Sequence, residues 1–382
     1  MELSFLTELY QQAAREKIPM SGQFELTPVC NLQCHMCYIH KPEEDKISRQ
    51  KLLPASFWIK QAQRAKDAGM LVLSLTGGET LLYPEIDELM QQLTNMGLLL
   101  SFNTNGTLID EERVKWFLKY PPTKINISLY GATDETYQKI TKAEHGFQKV
   151  SDAIERLQEA GLNVYLNAVL VPENIQELPK MHEFAAKRGL HLNTSSYLFL
   201  PRGCQKHAPE QFNRLQPEKA AESACFDRIV MYGREEFKQS AAQSAYRLEQ
   251  LEKQTEWQPS FHQCRAGQCS FAIDWKGMLH PCVMFQALEV SLAEHTFGEA
   301  WQQLVSSVQE ISVPAKCMNC RKQDICPACK AAIFQETGNF KTAPEYLCRY
   351  TDHLENILKK EGSGVEISVS DSRGFNFSGC AD

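Results

Sequence analysis

From Gln23 to about Leu200 the chain repeats one rhythm: a short β-rich apolar run, a turn, then apolar residues at three- and four-residue spacing. Strands are predicted over 23–29, 71–76, 98–104, 124–130, 162–170 and 190–198, with helices over 54–68, 84–96, 110–119, 146–160 and 174–188. Gly69, Gly97, Gly161 and Gly189 follow four of these helices as stop signals. Strands alternating with helices imply a parallel sheet. Six such units are too few to close an eight-stranded barrel, so a partial (β/α)6 barrel, open on one side, is expected.

Pro201 and Gly203 break the rhythm, and 213–256 reads as polar helix bridging two domains. The Cys-rich stretch 261–350 has short β pieces, among them SFAIDWKGMLHPC, whose Lys276-Gly277 suits a hairpin turn. The expected class is therefore α/β, a partial (β/α)6 barrel followed by a small Cys-rich domain. The divisions run 1–22 helical lead-in, 23–203 barrel, 204–260 helical bridge, 261–350 Cys-rich domain, 351–361 end of a last helix, and 362–382 flexible linker with a short extended segment.

Composition narrows the function. With 43% hydrophobic and 23% charged residues over 382 positions, the chain has the make-up of an ordinary globular protein. Forty Lys and Arg against 47 Asp and Glu give a formal charge of -7, which provides no basic field for a nucleic-acid backbone. The N-terminal segment has no basic region followed by an apolar one, and no run reaches the length of a membrane span. A cytoplasmic protein with neither nucleic acid nor membrane as partner is expected.

Fourteen cysteines depart from that ordinary make-up. In a reducing compartment, clustered cysteines bind metal more often than they pair. Cys30, Cys34 and Cys37 stand in VCNLQCHMCY directly after the first predicted strand, at the mouth where active sites of βα barrels lie. Three thiolates on one loop hold three corners of a four-iron cluster and leave the fourth iron open for a small molecule; a three-Cys zinc site is the alternative. A second group, C317-x2-C320-x5-C326-x2-C329 with Cys348 behind it and Cys264, Cys269 and Cys282 ahead, supplies eight thiols. That number serves two fully ligated four-iron clusters or a double zinc site.

C-x3-C-x2-C after the first strand of a βα partial barrel resembles the radical S-adenosylmethionine (SAM) enzymes. Thr76-Gly77-Gly78-Glu79 at the end of the second strand resembles their GGE motif. The resemblance implies that Gly77, Gly78 and Glu79 meet the SAM methionine and its amino group. It also implies that Asn103, Asn105 and Ser128 at later strand ends, with Lys142 beyond them, bind SAM polar groups. Met36 stands where relatives carry an aromatic residue beside the adenine, so only a backbone contact is carried over there. The second group resembles the SPASM domain of the same superfamily. By that resemblance Cys264, Cys269, Cys282 and Cys329 hold one auxiliary cluster, and Cys317, Cys320, Cys326 and Cys348 another, making three four-iron clusters with SAM as cosubstrate. The spacing C326-x2-C329 is one residue shorter than is common in that domain, which bears on which Cys serves which cluster.

The resemblance spans about residues 20–350 and implies a 5'-deoxyadenosyl radical that abstracts hydrogen from a substrate, with the auxiliary clusters accepting an electron. The expected function is maturation of a ribosomally made peptide by a thioether or carbon–carbon cross-link. Its expected partners are a precursor peptide or protein and an electron donor such as flavodoxin or ferredoxin. Only 29 residues precede Cys30, so leader recognition is expected to use another surface or a separate protein. An anaerobic sulfatase maturase ranks second, because those enzymes place an Asp after the Cys matching Cys282, and here it is Val283. A multi-cluster electron carrier or zinc scaffold is the non-enzyme alternative. Cys204 and Cys225 read as small buried hydrophobes. The Gly/Ser-rich tail suits either a plain extension or a tethered substrate mimic, with Cys380 as thioether donor to a residue such as Asn376.

Overall fold

The computed structural model describes residues 2–39, 41–42, 52–201, 213–253 and 264–363. Cys204 and the tail from 364 onward, with Asn376 and Cys380, lie outside the described residues. The chain divides into two compact units, one of residues 1–168, 177–193 and 265–310, the other of 169–176, 194–264 and 311–382.

Strands β1 (Ser21–Glu25), β2 (Val72–Thr76), β3 (Leu99–Thr104), β4 (Lys124–Ser128), β5 (Val164–Val169) and β6 (Leu192–Ser195) lie side by side in chain order. The pairings from β1 to β5 are parallel, giving the six-unit partial barrel that the periodicity predicts. Strand β1 stops at Glu25, where 23–29 was expected to be continuous. Pro28 has no N–H for the ladder, and Val29–Cys30 pairs instead with Lys41–Pro42 in a separate two-stranded ribbon.

Alternation along these strands separates two faces. Phe24, Leu73, Leu75, Leu100, Phe102, Ile125, Ile127 and Leu166 are buried in one core with Trp58, Leu89, Phe117, Ile154 and Met181. These come from helices α1 to α5 of the barrel wall: Ala55–Asp67, Ile86–Asn95, Glu111–Lys119, Gly146–Glu159 and Leu178–Ala186. The intervening positions Gln23, Ser74, Thr76, Ser101, Asn103, Asn126, Ser128 and Asn167 form a polar, mostly half-buried second face. Closed βα barrels fill that face with apolar side chains; here it carries hydroxyl and amide side chains instead.

Part of the Cys-rich stretch belongs to this sheet. Strand β7 (Ser270–Ile273) pairs in parallel with β1, and β8 (Met278–His280) and β9 (Val290–Ser291) follow as antiparallel neighbours. The turn between β7 and β8 is the expected one: Gly277 takes φ 81°, and Asp274 Oδ1 accepts from the Lys276 and Met278 N–H groups, both at 3.0 Å.

In the second unit the predicted polar helix over 213–256 is two helices, Pro217–Tyr232 and Arg234–Lys253, parted at Gly233 with φ 89°. Both pack on the helix Glu345–Glu361. Arg214 and Glu336, with 7% and 4% of their side chains exposed, form a bidentate pair at 2.6 and 2.9 Å. Tyr197 adds its hydroxyl to Glu336 at 2.9 Å, and Arg214 lies 3.8 Å over the Tyr346 ring. Among the described residues, no helix is long and apolar enough to cross a membrane.

Candidate radical site

The loop Cys30–Cys37 leaves the end of β1 and is held from two sides. From one side, Gly78 N–H donates to Thr27 O at 2.6 Å and Glu79 N–H to Val29 O at 2.8 Å. Gly77 has φ 142°, and a Cβ at Gly77 or Gly78 would strike the carbonyls of Thr27 or Val29. The glycine pair is thus required by the chain's own backbone approach. Replacing Gly78 by Ala should move the loop at an overpacking cost of about 1–3 kcal/mol. We expect it to lower iron loading and SAM cleavage together while far-UV dichroism is retained; parental iron and activity would refute this account of the turn.

From the other side, the loop N–H groups of Gln33 and His35 donate to Thr141 O (2.9 Å) and Ile140 O (3.2 Å). These carbonyls end the helix Asp134–Thr141, which the periodicity did not reveal. Its signal was a start signal, Thr133-Asp134-Glu135: the Thr133 hydroxyl caps Thr136 N–H at 3.2 Å, and two acids occupy the first turn.

The neighbouring thiols disfavour ionisation of Cys30 and of Cys34. Burial pushes the Cys30 thiol up to about 12 and the Cys34 thiol higher still, with Cys37 adding to both. Donors oppose this. Leu32 N–H and Asn105 Nδ2 point at Cys30 Sγ at 3.4 and 3.7 Å, and the Tyr130 hydroxyl bonds Cys34. Tyr130, Asn31 and Thr107 carry no motif and were missed, because their partners are distant in sequence. Buried thiols met by N–H and O–H donors fit the ligands of an iron–sulfur cluster, whose negative charge such donors offset. No group of three or more described His, Cys, Asp or Glu is gathered as ligands of one metal ion would be.

Glu79 is fully buried. Its Oε1 accepts from Leu81 N–H (3.0 Å) and the Thr104 hydroxyl (2.8 Å), and its Oε2 from Asn105 N–H (2.8 Å). Burial holds its carboxyl above the ordinary carboxylate range, against those three donors. The residue therefore ties the end of β2 to the end of β3. Asn103 accepts from Asn126 Nδ2 at 2.7 Å on the polar face, and Ser128 lies at the end of β4. Met36 is buried beside Cys37 in the chain. Lys142 is exposed, caps its helix with φ 63° and donates to Lys139 O at 3.3 Å. Glu25, only 1% exposed and accepting from the Tyr38 hydroxyl at 2.8 Å, is a carboxylate on the polar face that no motif announced.

In the second unit burial pushes the Cys317 thiol up to about 11, and Cys348, Cys326 and Cys320 add to the rise. Cys329 caps the helix Lys330–Thr337, its Sγ accepting from Ala332 N–H at 3.4 Å, and Cys264 is near Lys330. Cys269, fully buried against Ala13 and Met20, and Cys282 belong to the first unit. Cys225 is a buried thiol, as expected.

Comparison with known proteins identifies the family of the barrel segment. Residues 24–185 match the model of the radical SAM superfamily. The AdoMet-dependent heme synthase of Methanosarcina barkeri is 23% identical over 355 residues, covering 88% of this chain and 98% of that protein. The antilisterial bacteriocin subtilosin biosynthesis protein AlbA of Bacillus subtilis is 25% identical over 361 residues, covering 90% and 74%. Among solved structures, Streptococcus suis SuiB bound to precursor peptide SuiA superposes with a TM-score of 0.65 at 17% identity, covering 89% of this chain and 78% of that one. With the thiol loop, the glycine turn and the βα series falling in the matched segment, residues 24–185 of this chain are a radical SAM domain.

Proposed function

We propose that the chain is a radical SAM maturase of a ribosomally made precursor peptide, which it modifies oxidatively through a thioether or carbon–carbon cross-link. The observation that carries this reading is the three-thiol loop at the end of β1, clasped by the glycine turn and the helix Asp134–Thr141 beside a polar sheet face. Cys30, Cys34 and Cys37 would hold a four-iron cluster. Cys317, Cys320, Cys326 and Cys348 would hold an auxiliary cluster, in the manner of a SPASM region. When bound, these groups supply reductive cleavage of SAM, hydrogen-atom abstraction from a substrate C–H bond, and a sink for the second electron of the oxidation.

The chain's own residues bind and orient. Ser74, Ser101, Asn103, Asn126 and Ser128 offer hydroxyl and amide groups suited to SAM and to the amides of an extended peptide. The packed opposite face of the sheet gives them a rigid support that holds a target carbon at near-attack distance. Val283 after Cys282 offers no proton acceptor, which ranks formylglycine formation lower. The names of two relatives support the peptide reading, one a bacteriocin biosynthesis protein and one crystallised with its precursor peptide. A second reading, an AdoMet-dependent haem-forming reaction, is favoured by the nearly full-length match to the M. barkeri protein.

Anaerobic incubation with SAM and a flavodoxin or ferredoxin reductant separates these readings. Candidate precursor peptides should leave lighter by two hydrogens, with 5'-deoxyadenosine formed in step. Unchanged peptides beside conversion of a tetrapyrrole would transfer the assignment to the second reading.

A further inference from the structure

We infer that Asn105, set by a closed ring of side-chain hydrogen bonds with Asn31 and Thr107, is a positioning residue that directs an N–H at the Cys30 sulfur and raises the reduction potential of the cluster held there. The inference rests on the reading that Cys30, Cys34 and Cys37 hold a four-iron cluster.

The orientation of the Asn105 amide follows from its partners. Its Oδ1 accepts from the Thr107 backbone N–H at 2.9 Å, an obligate donor, and from the Thr107 hydroxyl at 2.6 Å. The oxygen end is thereby fixed, and the nitrogen must face the other way. Nδ2 donates one hydrogen to Asn31 Oδ1 at 2.9 Å and lies 3.7 Å from Cys30 Sγ with the other. Asn31 Nδ2 then donates to Thr107 Oγ1 at 2.9 Å, closing the ring. The main chain of Asn105 is anchored separately, through its N–H to Glu79 Oε2 at 2.8 Å. With Asn105 only 6% exposed, water does not readily replace these bonds.

This geometry gives the amide a definite electrostatic sense. A donor aimed at a ligating sulfur favours the more negative, reduced state of the cluster, so the potential rises.

The test uses the reconstituted holoenzyme in an anaerobic dithionite titration, following the reduced-cluster electron paramagnetic signal that changes when SAM is added. Dithionite supplies the single electron taken up by the cluster. Asn105→Leu should shift the reduction equilibrium about tenfold toward the oxidised form, or 59 mV lower for a one-electron couple. Thr107→Val, which removes one of the two clasps on Oδ1, should give a smaller shift of the same sign. If Asn105→Leu fails to load iron, Thr107→Val decides alone. A SAM-responsive signal with the parental potential in the loaded variants overturns the inference. Persistence of that signal in the Cys30, Cys34 and Cys37→Ala protein overturns the cluster assignment beneath it, and the inference with it.

Discussion

Replacing Cys30, Cys34 and Cys37 together by Ala should bring SAM cleavage to below about a thousandth of the parental rate, because enzymic acceleration usually reaches roughly a millionfold or more. Iron should fall by about four per chain, as expected for loss of one four-iron cluster. The fold should survive. The loop's fastenings, Gly78 to Thr27, Glu79 to Val29, Gln33 to Thr141 and His35 to Ile140, are all backbone bonds that do not depend on sulfur. The paired measurements are 5'-deoxyadenosine by chromatography and iron by anaerobic analysis. Full 5'-deoxyadenosine formation in the triple variant would reject the radical assignment; loss of all iron would show that the C-terminal thiols depend on the loop.

Glu336→Ala should destabilise the second unit by about 3–5 kcal/mol, the usual cost of leaving the other member of a buried ion pair uncompensated. Arg214 would keep its charge with 7% of its side chain exposed and lose both carboxylate bonds, and the Tyr197 hydroxyl would lose its acceptor. The expected readout is a lower urea midpoint, since Glu336 lies in the last turn of the helix that Cys329 caps. The double replacement Arg214→Met with Glu336→Met should recover much of the loss, since no charge is then buried without a partner. An unfolding free energy for Glu336→Ala within about 0.5 kcal/mol of the parent, the usual range for surface substitutions, would mean that the pair carries no such burden.

The barrel was legible because its strands are short apolar runs and its helices long enough for periodicity to accumulate. Strand boundaries over 71–76, 98–104 and 124–130 fall within two residues of Val72–Thr76, Leu99–Thr104 and Lys124–Ser128. Two departures have local causes, Pro28 at the end of β1 and Gly233 within the predicted long helix. The eight-residue helix Asp134–Thr141 escaped because two turns hold too little periodicity, and only its capping residues gave it away.

Site legibility followed chemistry in the same manner. Cysteine spacing is local and was read directly. The roles of Glu79 and Asn105 are set by Thr104, Asn31 and Thr107, and the bonds of Asn105 and Asn31 reach across more than seventy residues. A strand-end Asn looks the same in sequence whether it meets a cosubstrate or a sulfur. Lys142 terminates its helix in a left-handed backbone conformation, a feature its place in the chain did not announce.

The pairing of β7 with β1 constrains how this protein can be taken apart or recombined. A cut near residue 260, where the Cys-rich sequence begins, would remove β7 from the strand that leads into the thiol loop and leave β1 with a bare edge, a template for intermolecular association. The C-terminal region is consequently no portable cassette: a chimera that exchanges it must either carry residues 265–310 with the barrel or supply a new edge strand in matching register.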